Sequence, residues 1–224
     1  VRVLLSDAAI YVGVRAFDSD PGAIVARLAR RDRFPQSDHI SIYFDSFHDR
    51  RTAFQFAVGP SGSIMDRYST NDRRGGDFSW DPIWQVATSI DELGWVAEFR
   101  IPFTQLRFAT DQATWGFQVR RYIQRKNEQA FWAPWSKASS GFASLFGELH
   151  GLTDLPSPAR IEIRPYVVAD GRRRPQSTGS VYAPASAVGG NVGVDLKYGL
   201  SSDFTLDLTA NPDFGQVEAD PAVV

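Results

Sequence analysis

The sequence predicts an all-β fold: an antiparallel, jelly-roll-like β-sandwich over residues 1–155, then a linker and the first strands of a second, truncated sheet domain over 156–224. Three observations lead there. Residues 84–101 alternate apolar and polar twice, as Trp84/Val86/Thr88/Ile90 and Trp95/Ala97/Phe99/Ile101, around Asp91-Glu-Leu-Gly94, where Gly94 can supply the positive φ of a tight reversal. Similar runs recur at intervals of roughly a dozen residues with almost no helical periodicity, the habit of sandwiches. At Leu155-Pro-Ser-Pro158 the character of the chain changes.

Taken in order, residues 8–17 alternate Ile10/Val12/Val14/Ala16 against Tyr11/Gly13/Arg15/Phe17 and predict a strand. Asp20 and Pro21 are placed to cap and open a short helix running toward Arg31. Strands follow over 38–45, 52–58 and 63–68, and residues 69–79 have the composition of a long exposed loop. After the Trp84–Ile101 hairpin, Pro102 cannot donate to a ladder, so the strand should end there in a short helical turn to Leu106. Residues 114–124 form another strand, 126–129 a turn, 134–141 a loop and 145–152 a closing strand.

Composition narrows the function classes. There is no cysteine, so disulfides and thiolate metal sites are excluded. A formal charge of -2 gives no reason to expect nucleic acid as partner. No apolar run reaches the roughly 18 residues of a membrane helix. The chain opens at Val-Arg-Val-Leu-Leu and closes at Asp-Pro-Ala-Val-Val, which reads as a portion of a longer protein. Aromatics make up 13% of residues, and 21 of the 24 basic residues are arginine, the planar bidentate donor. Both habits suit a protein that holds polyhydroxylated ligands, and equally a sandwich core with a salt-bridged surface.

Beyond Pro158, residues 160–170 form a strand, and two runs then place Val192/Val194/Leu196/Tyr198 and Phe204/Leu206/Leu208/Ala210 on one face. Gly193/Asp195/Lys197 and Thr205/Asp207/Thr209 lie on the other. Apolar outward and polar inward is the dyad pattern of an outer-membrane barrel hairpin. An ordinary half-exposed hairpin fits the same pattern.

Four segments carry a family resemblance: Tyr11-Val-Gly-Val-Arg-Ala-Phe-Asp18-Ser-Asp20-Pro21, Asp38-His-Ile-Ser-Ile-Tyr-Phe-Asp45, Trp95-Val-Ala-Glu98-Phe-Arg-Ile-Pro102 and Trp115-Gly-Phe117. Together they resemble the family 9 carbohydrate-binding modules and their DOMON-like relatives over roughly residues 1–155. The tail Thr209-Ala-Asn-Pro-Asp-Phe-Gly-Gln-Val-Glu-Ala-Asp-Pro221 resembles the start of the β-barrel region of unassigned function that often follows such modules in Gram-negative bacteria. The resemblance implies a sugar-gripping sandwich, in some members with calcium and in sugar-binding members with two Trp rings around a terminal sugar. It also implies a place in the Gram-negative envelope, in the outer membrane, the periplasm or at the cell surface, a carbohydrate ligand, contact with the outer membrane through the C-terminal region, and links to O-glycosyl hydrolases and carbohydrate catabolism. Many barrel-linked relatives have no known sugar, so a plug, scaffold or assembly role stands beside it.

A sugar site needs an exposed aromatic ring beside fixed donors and acceptors. Trp84, Trp95 and Trp115 lie in phase with apolar faces and read as core. The loop-borne Trp80, Trp132 and Trp135 are the candidates, with Arg121, Asn127 and Glu128 as polar partners; packing under a loop is the ordinary alternative for each. For calcium, the oxygen donors are Asp18, Asp20 and Asp45, which otherwise read as turn and capping aspartates. His39, His48 and His150 have no zinc spacing. Glu98 and Glu128 are the only pair worth posing for glycosidase chemistry, and Glu98 more simply pairs with an arginine across the sheet. The serines lie in no nucleophile elbow, and no catalytic constellation emerges. Asp72-Arg73-Arg74 and Arg172-Arg173-Arg174 read as solvated loop charges, the second with a possible lipid-phosphate role.

Overall fold

The computed structural model describes residues 1–33, 36–109, 112–135, 138–153, 155, 161–173, 186–199 and 205–212. Among these the regular elements are antiparallel strands and four short 3-10 turns. The chain divides into two compact units, Val1–Pro158 and Ala159–Val224.

The first unit is a β-sandwich. One sheet runs β1 (Arg2–Leu5), β2 (Ala9–Phe17), β7 (Gly94–Pro102), β6 (Gln85–Asp91). The other runs β10 (Gly147–His150), β8 (Thr114–Ile123), β3 (His39–Asp45), β4 (Ala53–Val58), β5 (Ile64–Ser69), with β9 (Glu128–Phe131) also on β8. Alternation sorts the side chains: Ile10, Val12, Val14, Trp95, Phe99 and Ile101 of the first sheet meet Ile42, Phe44, Phe54, Phe56, Trp115 and Phe117 of the second in one core. Trp84 bridges them, stacked on Phe99 at 5.8 Å and edge-on to Phe56 at 5.3 Å. Emptying a site such as fully buried Trp95 costs on the order of 3–5 kcal/mol.

The central hairpin closes through Glu92-Leu93, with Asp91 opposite Gly94. Gly94 has φ +133°, and a Cβ there would sit 2.1 Å from the Ala16 carbonyl oxygen, so both conformation and space require glycine. Asp91 fastens the turn by accepting from Leu93 N–H and from both Nη groups of Arg15 on β2. Pro102 ends β7 and Phe103–Gln105 forms a 3-10 turn.

The helix expected from Asp20 toward Arg31 is only the 3-10 turn Pro21–Ala23, without a side-chain cap from Asp20. The physical reason is a competing set of partners. Ser37 Oγ donates to Val25 O and accepts from Arg27 N–H, Ser63 Oγ accepts from Ala29 N–H, and Ser61 Oγ donates to Arg27 O. Serine hydroxyls thus hold residues 25–29 as an extended strap.

Asp45 closes β3 fully buried, its oxygens accepting from the amides of Asp49 and Arg50. Burial pushes its carboxyl up to about 6, against the pull of those amides. A folded-state value above the ordinary one of about 3.9 means that its contribution is full below that value and is lost as pH rises through about 6. Raising the pH from 5 to 7 is therefore expected to cost the native protein about 1 kcal/mol more than it costs Asp45→Asn. Urea midpoints of the two proteins at both pH values check this, and parallel shifts would refute it.

The second unit is a three-stranded meander of β11 (Ile161–Arg173), β12 (Ser186–Gly199) and β13 (Thr205–Ala210). Ile163, Leu196 and Leu208 fall in one cross-strand row, and Pro165, Val194 and Ala210 in the next. On this face Ile163, Val167, Val188, Val192 and Leu208 are each half or more exposed. The opposite face carries Arg164 opposite Asp195 and Lys197 opposite Asp207, and the Tyr166 ring lies over Gly193, where a Cβ would meet it at 2.2 Å. An aromatic ring covering a cross-strand glycine restores packing that the glycine lacks. Phe204 lies outside the described residues.

Candidate functional site

The outward face of the six-stranded sheet is polar, yet it is covered. Its rows follow from register: Arg67 lies opposite Gln55, Gln55 opposite Tyr43, Tyr43 opposite Gln118, and Ser41 opposite Arg120. Ser41, Tyr43, Gln55 and Gln118 are all buried, because two segments lie on the sheet.

Residues 132–135 and 138–146 form one wall. Gln118 acts as a substitute peptide group for it, Nε2 donating to Ala133 O at 3.1 Å and Oε1 accepting from Ala133 N–H at 2.9 Å. Phe142 then packs edge-on against Tyr43 at 5.3 Å, and Trp135 lies between Phe131 at 4.7 Å and Phe142 at 5.7 Å. Residues 69–79 form the other wall. Gly76 rests on the β5 backbone so closely that a Cβ would be 2.4 Å from Tyr68 O. Asp72 laces the walls together, accepting from the amides of Phe142 and Ser144 and from Ser144 Oγ. Burial would raise its carboxyl, but these donors outweigh it and hold the group below its ordinary value. Arg74 sits 4.6 Å over the Trp135 ring.

Two guanidiniums reach over the floor. Arg67 lies 5.6 Å from the Phe78 ring centroid and Arg120 6.0 Å from that of Tyr43. Arg120 Nη2 is 3.3 Å from Ser41 Oγ and 3.2 Å from His39 Nε2. Burial, reinforced by the Arg120 charge, lowers His39 to about 4, so it is neutral near pH 7. With Nε2 accepting from Arg120, the proton belongs on Nδ1, 3.2 Å from Ser37 O. Burial also lowers Arg67, with Tyr43 opposing and Arg120 adding to the effect. Neither arginine has a carboxylate within ion-pair distance among the described residues. Buried Nε of both, and Oε1 of Gln55, have no hydrogen-bond partner there. The floor itself is sealed, and what reaches the surface around it is half-buried Arg67, Arg120, Phe131 and Trp135 with exposed Phe78, guanidiniums beside rings, the combination that suits a ligand with an apolar face and a polar rim.

Of the predicted sugar residues, Trp135 lines this face. Trp80 does not: it packs against Phe54 at 4.9 Å and Phe56 at 5.5 Å as part of the core. Trp132 is 52% exposed but turns to the other side of the sheet, against Phe117 and over Gly147. Asn127 occupies a left-handed turn position and accepts from Tyr122 Oη, and Glu128 is exposed at the head of β9. Arg121 is taken up by Asp18.

The aspartates do not converge on a cation. Asp18 accepts from Arg121 and from both Nη groups of Arg125, which hold its carboxyl far below the ordinary range. Asp45 lies at the opposite end of β3 from Arg121, and Asp20 is exposed. Among the described residues no group of three or more His, Asp or Glu side chains comes together to hold a metal. Glu98 lies on the outer face of the four-stranded sheet, opposite Gly13 and Ala87, with Arg2 beyond Gly13 in the same row. Glu128 belongs to the other sheet, so the two carboxyls share no cleft. Asp72 is the lace described above rather than a solvated charge, and Arg174 and the side chains of Arg172 and Arg173 lie outside the described residues.

The floor residues Arg67, Arg120, Gln55 and Gln118 were missed by the sequence reading. Their signal was the polar phase of three strands predicted only for their apolar phase; pairing Gln55, Tyr43 and Gln118 in register would have exposed it.

Residues 157–224 match the model of a domain of unknown function, DUF5916. No curated protein matches the chain. Its fold is similar to a family 9 carbohydrate-binding module from Caldicellulosiruptor kristjanssonii in complex with cellotriose, 16% identical, covering 66% of this chain and 71% of that one at a TM-score of 0.42. It is likewise similar to a module of that family from the same organism in complex with glucose, at 16% identity, 70% and 78% coverage and a TM-score of 0.43. The sugars named are ligands of those proteins.

Proposed function

We propose that Val1–Pro158 is a glycan-binding module that holds sugar by ring stacking and hydrogen bonding, without chemistry, on the outer face of its six-stranded sheet. The carrying observation is that half-buried Arg67 and Arg120 share the outer face of this sheet with the partly accessible rings of Phe78, Phe131 and Trp135. The sequence resemblance to sugar-binding modules supports the same reading. Ala159–Val224 supplies, in this proposal, the first strands of an outer-membrane β-barrel, with Val167, Val192 and Leu208 toward lipid and Asp195, Lys197 and Asp207 toward the lumen. The protein then belongs to a Gram-negative envelope, with the module in the periplasm or at the surface.

Titrating the chain with neutral and acidic oligosaccharides is expected to shift tryptophan emission, because Trp135 lines the face. Absence of any shift up to millimolar sugar would refute glycan binding. It would favour the second reading, a plug or scaffold for the barrel, which the packing of Trp80 into the core and the lacing of the two walls by Asp72 support.

A further inference from the structure

We propose that the glycan held on this face is acidic, and that a uronate carboxylate seats between Arg67 and Arg120. The inference rests on the glycan-binding reading and adds the ligand's charge to it.

The charge on this face is the first support. Arg121 and Arg125, half-buried like Arg67 and Arg120, are both paired with Asp18. Arg67 and Arg120 have no carboxylate partner among the described residues. Their partners are a ring each, a hydroxyl and an uncharged imidazole. None of these offsets a positive charge, and the two charges oppose one another.

Geometry supplies the second support. Register places Arg67 on β5 and Arg120 on β8 at opposite sides of the Gln55–Tyr43 row, with Arg120 over the Tyr43 ring and Arg67 over Phe78. The Nε of each is buried, so the half-buried heads present their Nη groups. The two Nη groups of a guanidinium are a planar donor pair that can meet a carboxylate. A neutral sugar could satisfy these donors through hydroxyls but would leave two like charges uncompensated in a partly dehydrated site. A carboxylate removes both penalties. Its pyranose ring would lie toward Phe131 and Trp135.

The test uses the 224-residue chain, with binding followed by calorimetry and tryptophan emission. Oligogalacturonate, a neutral galactan oligomer of equal length and a sulfated galactan oligomer are compared. Oligogalacturonate is expected to bind at least tenfold more tightly than the neutral oligomer, with an affinity that falls as salt rises while the neutral one's does not. Arg67→Gln and Arg120→Gln are each expected to weaken oligogalacturonate much more than the neutral oligomer and so to erase most of that preference. The salt dependence of the unmutated protein stands even if a variant misfolds. Equal binding of neutral and acidic oligomers would overturn the inference and leave glycan binding intact. Tighter binding of the sulfated oligomer would overturn the carboxylate assignment. Binding of none of the three would overturn the inference together with the reading beneath it.

Discussion

Asp18→Asn is expected to destabilise the sandwich by about 1.5–3 kcal/mol, the range for hydrogen bonds to a charged group. Asp18 is almost completely enclosed and is gripped by Arg125 through two bonds of 2.6 and 2.9 Å and by Arg121 at 2.9 Å. It follows β2 of one sheet, whereas Arg121 lies on β8 of the other and Arg125 in the turn after it. The triad therefore ties the sheets at one end of the sandwich, beyond the apolar core. An amide keeps the shape and removes the charge, leaving two guanidiniums facing each other. The pH dependence has a definite sign. The folded carboxyl titrates below its ordinary value, so its stabilisation is complete above about 3.9 and is lost as pH falls through the folded value. Urea unfolding at pH 7 should show the full loss, and the variant should lose less further stability on acidification than the native protein. A midpoint change worth under 1 kcal/mol at pH 7 would mean the triad is not a structural tie.

Asp18 also marks how far the residues alone could be followed. Alternation within a strand is a local property, so β2, β3, β4, β7 and β8 were legible, as were the Gly94 turn and the end of β7 at Pro102. The choice between ligand aspartate and ion-pair aspartate is not local, because it depends on Arg121 and Arg125 more than a hundred residues away. The strap at 25–29 failed for a related reason: Ser37, Ser61 and Ser63 reach it from two other turns and outcompete a helix. Trp80 and Trp132 show the same limit. Loop position suggested exposure, but Trp80 is drawn into the core by Phe54 and Phe56, and Trp132, which is exposed, lies on the opposite side of the sheet from Phe131 because successive residues alternate. Which residues share the outer face is set by strand register, which emerges only when distant strands pair.

Gln118→Leu tests whether the wall and the floor are one device. Gln118 is fully buried, and leucine matches its volume without its amide. The substitution leaves Ala133 N–H and C=O without partners beneath the wall, each at about 1–3 kcal/mol, so a stability loss of about 2–4 kcal/mol is expected. Because the same two bonds set the start of the wall at Ala133, the wall should open locally before the domain unfolds. Amide exchange in 138–146 should then rise at least tenfold while exchange in β3 and β4 stays near native. Release of Phe142 from Tyr43 and of Trp135 from Phe131 takes away the aromatic side of the face and leaves the arginines in place. Sugar affinity should therefore fall at least tenfold while the preference for an acidic oligomer survives, the reverse of the arginine variants. Unchanged protection in 138–146 would show that Asp72 and Phe142 hold the wall without Gln118, and the coupling drawn between buried amide and binding face would be wrong.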